Sequence, residues 1–565
     1  MLYCFAHFQN LRKPSKLGLA EKAKKLPKKF LEYIIFFNLI AFFVQFVRIY
    51  GIMYIIRTTR YSENMTVLGS IMYNREYTNQ KRIEDFAIPF GGKLNPENRW
   101  VKLAEITPWE KIEDYYAQVM CNDYGRGAFT ARIAFGAIYI KQSEKLSDEA
   151  TVTYIQENPY VQYYLGLPSF REETLFDSSM MVHFRKRFPV DFIGRVNEYI
   201  CTGKWPEEKE KIDRNDDDNN GSAGTGGSAE TSESSEPVEN KGTLIMDATV
   251  APADIKFPTD IDLLNQSREH LEKAISLLWP YVDHSGHKFP YNTKKARKSF
   301  LNISKSKKWT RKKLRKSIEE QLRYVELAAK RLGEMKLAVP GWEEKLPSWL
   351  KQRLEVIPVV YSQQRQMFET GTHTCDDRIV SLSQPHVRPI VRGKRPNPTE
   401  FGQKLHLSVV DGYTFIEQTS WNAYNESTYL KDVTEEYLRK FGCYPTAILA
   451  DKIYQSRLNR EYCKTHGIRL SGPALGRPKA DKEAEEKAQM YQDACDRNVV
   501  EGRNGNLKRK YGLDLIMSKL DETAKTEAAL DILVMNSWRR IQEILLRLFY
   551  IWLKSVGGFR VLPSY

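Results

Sequence analysis

Cysteine is scarce in this chain and badly distributed for a structural role. There are 7 among 565 residues, spread from Cys4 to Cys495, with no Cys-x-x-Cys pair. An odd, scattered set excludes a disulfide framework and a thiolate zinc module, and fits free thiols in a reducing compartment. His373 and Cys375 form a lone His-x-Cys, which offers too few donors for a zinc site. Negative charge is also in deficit: 71 acidic residues against 86 Lys and Arg leave a net charge of +15. That balance points to a polyanionic partner, nucleic acid before membrane. A clean membrane-spanning run is missing too. Residues 31–56 are long enough to span and follow the basic stretch 22–29, but Glu32, Asn38, Gln45 and Arg48 interrupt them.

The length implies two or three domains. From about 78 to 205 the pattern is helical. Residues 131–141 carry a helical apolar period, Ser147 caps a helix reaching Glu157, and Asn158-Pro159 breaks it. Asp177-Ser178 can cap a further helix, 180–188, with Arg185, Lys186 and Arg187 expected on its exposed side. Short helices ending in a basic one suit a helix-turn-helix-like DNA reader, or an ordinary bundle with a solvated charged face. Residues 206–241 are acidic, then Gly/Ser-rich, with almost nothing apolar; they read as a solvated linker.

Beyond the linker, Thr243-Leu244-Ile245-Met246-Asp247 reads as a strand. A long helical segment follows, and the most basic part of the chain, 294–331, carries Lys312, Lys313 and Arg315 around Trp309. Cations this dense beside an aromatic suit phosphate contacts with base stacking, the bland reading being a solvated helix face. Residues 381–401 are expected to form an extended connector. Residues 404–420 read as a β-hairpin turning at Asp411-Gly412, which makes Asp411 a turn residue. A short buried strand ends at Asp451, followed by a helix, a strand near 468–471 and a helix carrying Arg497-x3-Glu501-x6-Lys508. On a regular helix those three residues fall within about 40° of one another. Gly502 and Gly505 each cost about 1 kcal/mol there, which argues against a helix tuned only for stability. Residues 530–553 form an amphipathic or fully buried closing helix whose charges favour packing over membrane.

Met246-Asp247-Ala248-Thr249, Ala450-Asp451-Lys452-x-Tyr454 and Arg497-x3-Glu501-x6-Lys508, in that order, resemble the DDE transposases of bacterial insertion sequences. The branch resembled has the helix signature Tyr-x2-Arg-x3-Glu-x6-Lys, and the match runs from about 84 to 535. One departure is visible: the tyrosine position is Ala494. The resemblance implies an α/β fold, a ribonuclease H-like mixed sheet flanked by helices with a helical insertion after the first strand, preceded by an all-α N-terminal domain. Its expected divisions are 1–64, an apolar and basic extension; 78–205, a helical DNA-binding domain; 206–241, the linker; 242–540, the catalytic domain with a basic insertion at about 256–400; and 541–565, a C-terminal helix and tail.

The implied chemistry is metal-dependent cleavage and strand transfer at terminal inverted repeats, with water and then a freed 3′-hydroxyl as nucleophile. In-line displacement at phosphorus needs both the attacking and leaving oxygens neutralised, which two Mg2+ or Mn2+ ions about 3.5–4 Å apart achieve. Hard ions require carboxylate oxygens. Asp247 is expected to bridge both ions, with Asp451 completing one and Glu501 the other. Arg497 and Lys508 are expected to contact DNA phosphates or to position Glu501, and Lys452 beside Asp451 to do similar work or to point to solvent. The partners implied are transposon ends and target DNA, with a homodimer in the synaptic complex and no small-molecule substrate. For residues 1–64, a start assigned too far upstream, the working protein beginning near Met65 or Met72, is preferred to a signal anchor, since an anchor contributes nothing to DNA rearrangement. A cytoplasmic, nucleoid-associated protein is therefore expected. The alternatives are a catalytically inactive DNA-binding regulator of transposase origin and another ribonuclease H-like nuclease.

Overall fold

Polar caps set the starts of four of the N-terminal helices. The computed structural model describes residues 82–120, 127–206, 239–282, 293–306, 308, 310–391, 399–473 and 483–555. The expected extension over 1–64, linker residues 207–238 and Trp309 lie outside these. Residues 82–95 with 168–170 belong to one unit, which holds 3-10 turns at Ile83–Asp85 and Pro89–Gly91 and a parallel bridge between Ala87 and Ser169.

The other unit begins with seven helices: α1 (Arg99–Ile106), α2 (Trp109–Val119), α3 (Ala131–Glu144), α4 (Asp148–Glu157), α5 (Pro159–Tyr164), α6 (Met180–Arg187) and α7 (Val190–Thr202). Asn98, Thr130, Ser147 and Asn158 each accept a first-turn N–H, satisfying donors that a helix start leaves orphaned. Their apolar faces meet in an aromatic core that includes Trp100, Tyr116, Phe135, Tyr164, Phe184 and Phe188, all essentially buried.

β1 (Thr243–Pro252) is buried along almost its whole length, as a central strand covered on both faces must be. Helices α8 (Asp260–Leu278), α9 (Thr293–Ser304), α10 (Arg311–Ala338), α11 (Trp342–Lys345) and α12 (Ser348–Thr370) come between it and the rest of the sheet. They enclose a core of their own around Leu264, Ile275, Leu322, Ala328, Leu350 and Ile357.

The sheet continues with β2 (Arg388–Val391), β3 (Thr399–Val410) and β4 (Tyr413–Ser420), joined by Asp411-Gly412 at φ 49° and 76°. Two successive left-handed residues match the twist of a hairpin, as the sequence indicates. β2 is an unexpected edge strand within the connector. Pro389 breaks its pattern, and an edge is where a strand tolerates proline. Gly402 in β3 is required by close approach: a Cβ there would lie 2.1 Å from the Ala251 carbonyl oxygen across the ladder. After a 3-10 turn at Glu426–Tyr429 come α13 (Leu430–Phe441), β5 (Ala447–Leu449), α14 (Arg457–Thr465), β6 (Arg469–Leu470), α15 (Glu483–Asn506) with a π-helical turn at Leu507–Tyr511, and α16 (Asp521–Ser555).

The strand order is β2-β3-β1-β5-β6, with β4 also on β3. β1 runs antiparallel to β3, where Asp247 faces Leu407, and parallel to β5, where Ile245 faces Leu449. The result is a mixed α/β sheet. α16 is one continuous helix, so the division expected at 540/541 falls inside it. It packs on α7 and also on α1, α3 and α6. Buried Asn536 locks this joint: its side chain meets Asn197 of α7 at 2.9 Å and both the N–H and C=O of Thr414 in β4 at 3.1 and 2.7 Å.

Candidate active site

Side chains alternate along β1, so Ile245, Asp247 and Thr249 share a face. Ile245 packs with Val409 of β3, Leu449 of β5 and Val500 of α15 in one apolar cluster. That cluster seats α15 across the centre of the sheet and puts half-buried Asp247 beneath it. Asp451 arrives differently. Ser471 Oγ bridges the N–H and C=O of Ala450 at 3.0 and 3.1 Å, pinning the chain just past β5. The backbone then turns into a 3-10 turn at Lys452–Tyr454 with Asp451 as its cap, Oδ1 accepting the Lys452 N–H at 3.0 Å.

α15 reaches both aspartates. Asn504 Nδ2 donates to Asp247 Oδ2 at 3.1 Å, and Arg497 Nη1 lies 3.4 Å from Asp451 Oδ1. Glu501 is exposed and stands four residues after Arg497 and three before Asn504, one turn from each. The two tethers are seven residues apart, about 10 Å along the helix axis. Among the described residues, no three of the Asp, Glu, His and Cys side chains stand close enough to hold one ion together. The donors gathered here are carboxylate and amide oxygens, the set that suits hard divalent ions. They do not form a closed three-carboxylate cage.

The cationic frame expected around Glu501 is rearranged. Arg497 pairs across to Asp451 instead of along the helix. Lys508 falls in the π-helical turn, where the i+5 spacing breaks the regular register that aligned it with Glu501. Lys452 is exposed beside Asp451. In α6 the expected basic face is mostly engaged inside the bundle. Arg185 makes a bidentate pair with Asp148 at 2.7 and 2.9 Å, and Arg187 bonds the Tyr116 hydroxyl and lies over its ring, leaving Lys186 exposed. Both arginines follow the helix's buried side, because Phe184 and Phe188 turn that face inward. In α10, Lys312, Lys313 and Arg315 are exposed, with Arg315 also over Phe368 at 4.4 Å.

A buried polar chain not anticipated from sequence lies behind the Asp451 turn. The Tyr454 hydroxyl, fully buried, meets His406 Nε2 at 2.9 Å and Glu426 Oε2 at 3.4 Å, and Glu426 pairs with Lys404 at 2.7 Å. Burial lowers the His406 pKa, so the ring is neutral, and it pushes the Tyr454 hydroxyl well above the usual range. The turn bearing Asp451 is thereby tied to β3, the neighbour of β1. Asn504, three residues past Glu501, is a further polar residue here that the sequence motifs do not single out.

Two stretches of the chain are similar to known protein families. Residues 89–187 match the model of a Transposase domain (DUF772), and residues 448–537 match that of a Transposase DDE domain. The second stretch includes Asp451 and Glu501, and Asp247 lies outside both. The chain is also 35% identical over 94 residues to an uncharacterized protein, ORF8 in the nfe locus of Rhizobium meliloti, a match covering 17% of this chain and 45% of that relative. The chain thus spans less than half of that relative's length. No solved structure matches. Two stretches of the chain are thus similar to transposase domains, the second of them to a DDE domain.

Proposed function

We propose that the protein binds the terminal inverted repeats of a bacterial insertion sequence and catalyses metal-dependent DNA cleavage and strand transfer in a ribonuclease H-like catalytic domain. The observation that carries this reading is the double tether on α15: Asp247 and Asp451 are each held by a residue one turn from Glu501. The strand order, with β1 antiparallel to β3 and parallel to β5, supports the fold assignment.

Asp247, Asp451 and Glu501 would hold two Mg2+ or Mn2+ ions, which would activate the attacking oxygen and neutralise the leaving one. Asn504 orients the Asp247 carboxylate, and the buried Tyr454–His406–Glu426 chain orients the turn that carries Asp451. Lys452, Lys508 and Arg497 supply positive charge at the site for the DNA backbone. Exposed Lys312, Lys313 and Arg315 and, in the N-terminal helices, Lys186 extend it. Arg185 and Arg187 act in this reading by holding α6 in the bundle. Two copies of the chain pair the two element ends. Among the described residues no helix is long and apolar enough to cross a membrane; a cytoplasmic protein acting on the nucleoid is part of the proposal.

The test uses Asp247→Ala, Asp451→Ala and Glu501→Ala in the full chain. Each variant should bind DNA carrying the element ends and lose Mg2+-dependent nicking at the repeat boundary. Retained nicking in any one of them removes that residue from the site.

A further inference from the structure

We infer that Arg497 is a displaceable counter-ion of the cation site: it occupies Asp451 until a divalent ion binds, and the two compete for that carboxylate. The inference rests on the proposed role of Asp451 as an ion ligand.

Three observations lead there. First, the two oxygens of Asp451 are used unequally. Oδ1 takes both the Lys452 N–H at 3.0 Å and the Arg497 guanidinium at 3.4 Å, whereas Oδ2 has no hydrogen bond or ion pair among the described residues. Second, the pair is loose. Charge-assisted bonds of a well-seated arginine fall near 2.7–2.9 Å. In this chain Arg185–Asp148 and Arg469–Asp493 are bidentate at such distances. The Arg497–Asp451 contact has a single guanidinium nitrogen, and its side chains are 31% and 62% exposed. Third, Asp451 itself is pinned from the other side, by the Ser471 bridge to Ala450 and by buried Tyr454, so losing Arg497 does not release the turn.

A divalent ion held by the Asp451 carboxylate would set two positive charges against the guanidinium there. Arg497 is the weaker and more mobile of the two cations and swings away. It remains one turn from Glu501 on the same helix, where a backbone phosphate is its natural next partner. The device therefore couples the two ligands. DNA that captures Arg497 makes Asp451 more available to the ion, and by linkage the ion makes Arg497 more available to DNA.

The experiment is titration of the full chain with Mn2+ in metal-free buffer, reading free Mn2+ by its electron paramagnetic resonance signal, with and without a duplex oligonucleotide. Without DNA, Arg497→Gln should bind Mn2+ about two- to fivefold more tightly than the natural chain, the range expected on removing an exposed ion pair that competes. Arg497→Lys should fall between them. The duplex should tighten Mn2+ binding by the natural chain, and by Arg497→Gln much less. Asp451→Asn serves as the reference and should weaken Mn2+ binding. If Asp451→Asn weakens binding but Arg497→Gln leaves it unchanged or weaker, the counter-ion role is overturned and the ion site stands. If Asp451→Asn has no effect, the reading of Asp451 as a ligand fails, and this inference with it.

Discussion

Exchanging Asn504 for aspartate converts the tether on Asp247 into a repulsion that a bound cation would relieve. The Asn504 amide donates to Asp247 Oδ2 at 3.1 Å, both residues being half-buried. Asn504→Asp preserves volume but replaces the donor with a second carboxylate oxygen. Loss of a hydrogen bond to a charged group removes about 1.5–3 kcal/mol. Two unit charges about 4 Å apart, at an effective dielectric near 20, repel by roughly 4 kcal/mol before rotation, solvent and partial protonation reduce that figure. A net destabilisation of about 3 kcal/mol near neutral pH is expected. At about 2–4 °C per kcal/mol for domains of this size, the melting temperature should fall by roughly 6–12 °C in EDTA. Adding Mn2+ should recover most of that loss, because the pair then becomes a ligand set. Asn504→Ala should lose only the hydrogen bond and gain no more from Mn2+ than the natural chain does. Thermal melts followed by circular dichroism, in EDTA and in Mn2+, measure both effects. A melting temperature for Asn504→Asp in EDTA within about 2 °C of the natural chain would refute the geometry. Equal Mn2+ responses of the two variants would refute the placement of Asp247 beside a cation site.

Two other substitutions probe the frame that carries the site. Asn536→Ala strands the Thr414 N–H and the Asn197 side-chain oxygen in a buried joint and should cost about 3 kcal/mol in urea denaturation, with strong non-additivity when combined with Asn197→Ala. Asp531 of α16 is fully buried against Gln142 of α3, and burial pushes its carboxyl well above the usual range. The native state therefore keeps a proton that the unfolded chain releases above about pH 4, so this group's contribution is greatest below that pH. Stability should fall as pH rises toward the elevated folded value, by up to about 1.4 kcal/mol per pH unit. Asp531→Asn should remove that slope, so its urea midpoint should gain on the natural chain between mildly acidic and mildly basic pH; parallel pH profiles would contradict the buried carboxyl.

Much of the architecture was legible because local rules were obeyed. Ser147 and Asn158 cap where a side-chain acceptor precedes a helical period, and Asp411-Gly412 turns because two left-handed residues close a hairpin. β2 escaped because a four-residue edge strand has too few residues to reveal a period, and Pro389 interrupts it. At the proposed site, Asp247, Asp451 and Glu501 were marked by their positions on a strand, past a strand end and on a helix. Their supporting residues were less visible. His406 and Glu426 sit in separate elements, and nothing local distinguishes a histidine that meets a tyrosine 48 positions away from one that packs alone.

By itself, the sequence determined the candidate residue types and the kinds of element that bear them, since carboxylates, cations and hydrophobic periods are properties of short stretches. Tertiary structure alone decided which charge answers which. Arg497 and Glu501 share a helix face, yet Arg497 turns to Asp451 because the sheet beneath α15 presents that carboxylate at the end of β5. Arg185 and Arg187 look like surface cations in the sequence, and the bundle draws them inward to Asp148 and Tyr116. Partner choice among charges depends on distance and burial, and both are fixed only once segments far apart in the chain have packed.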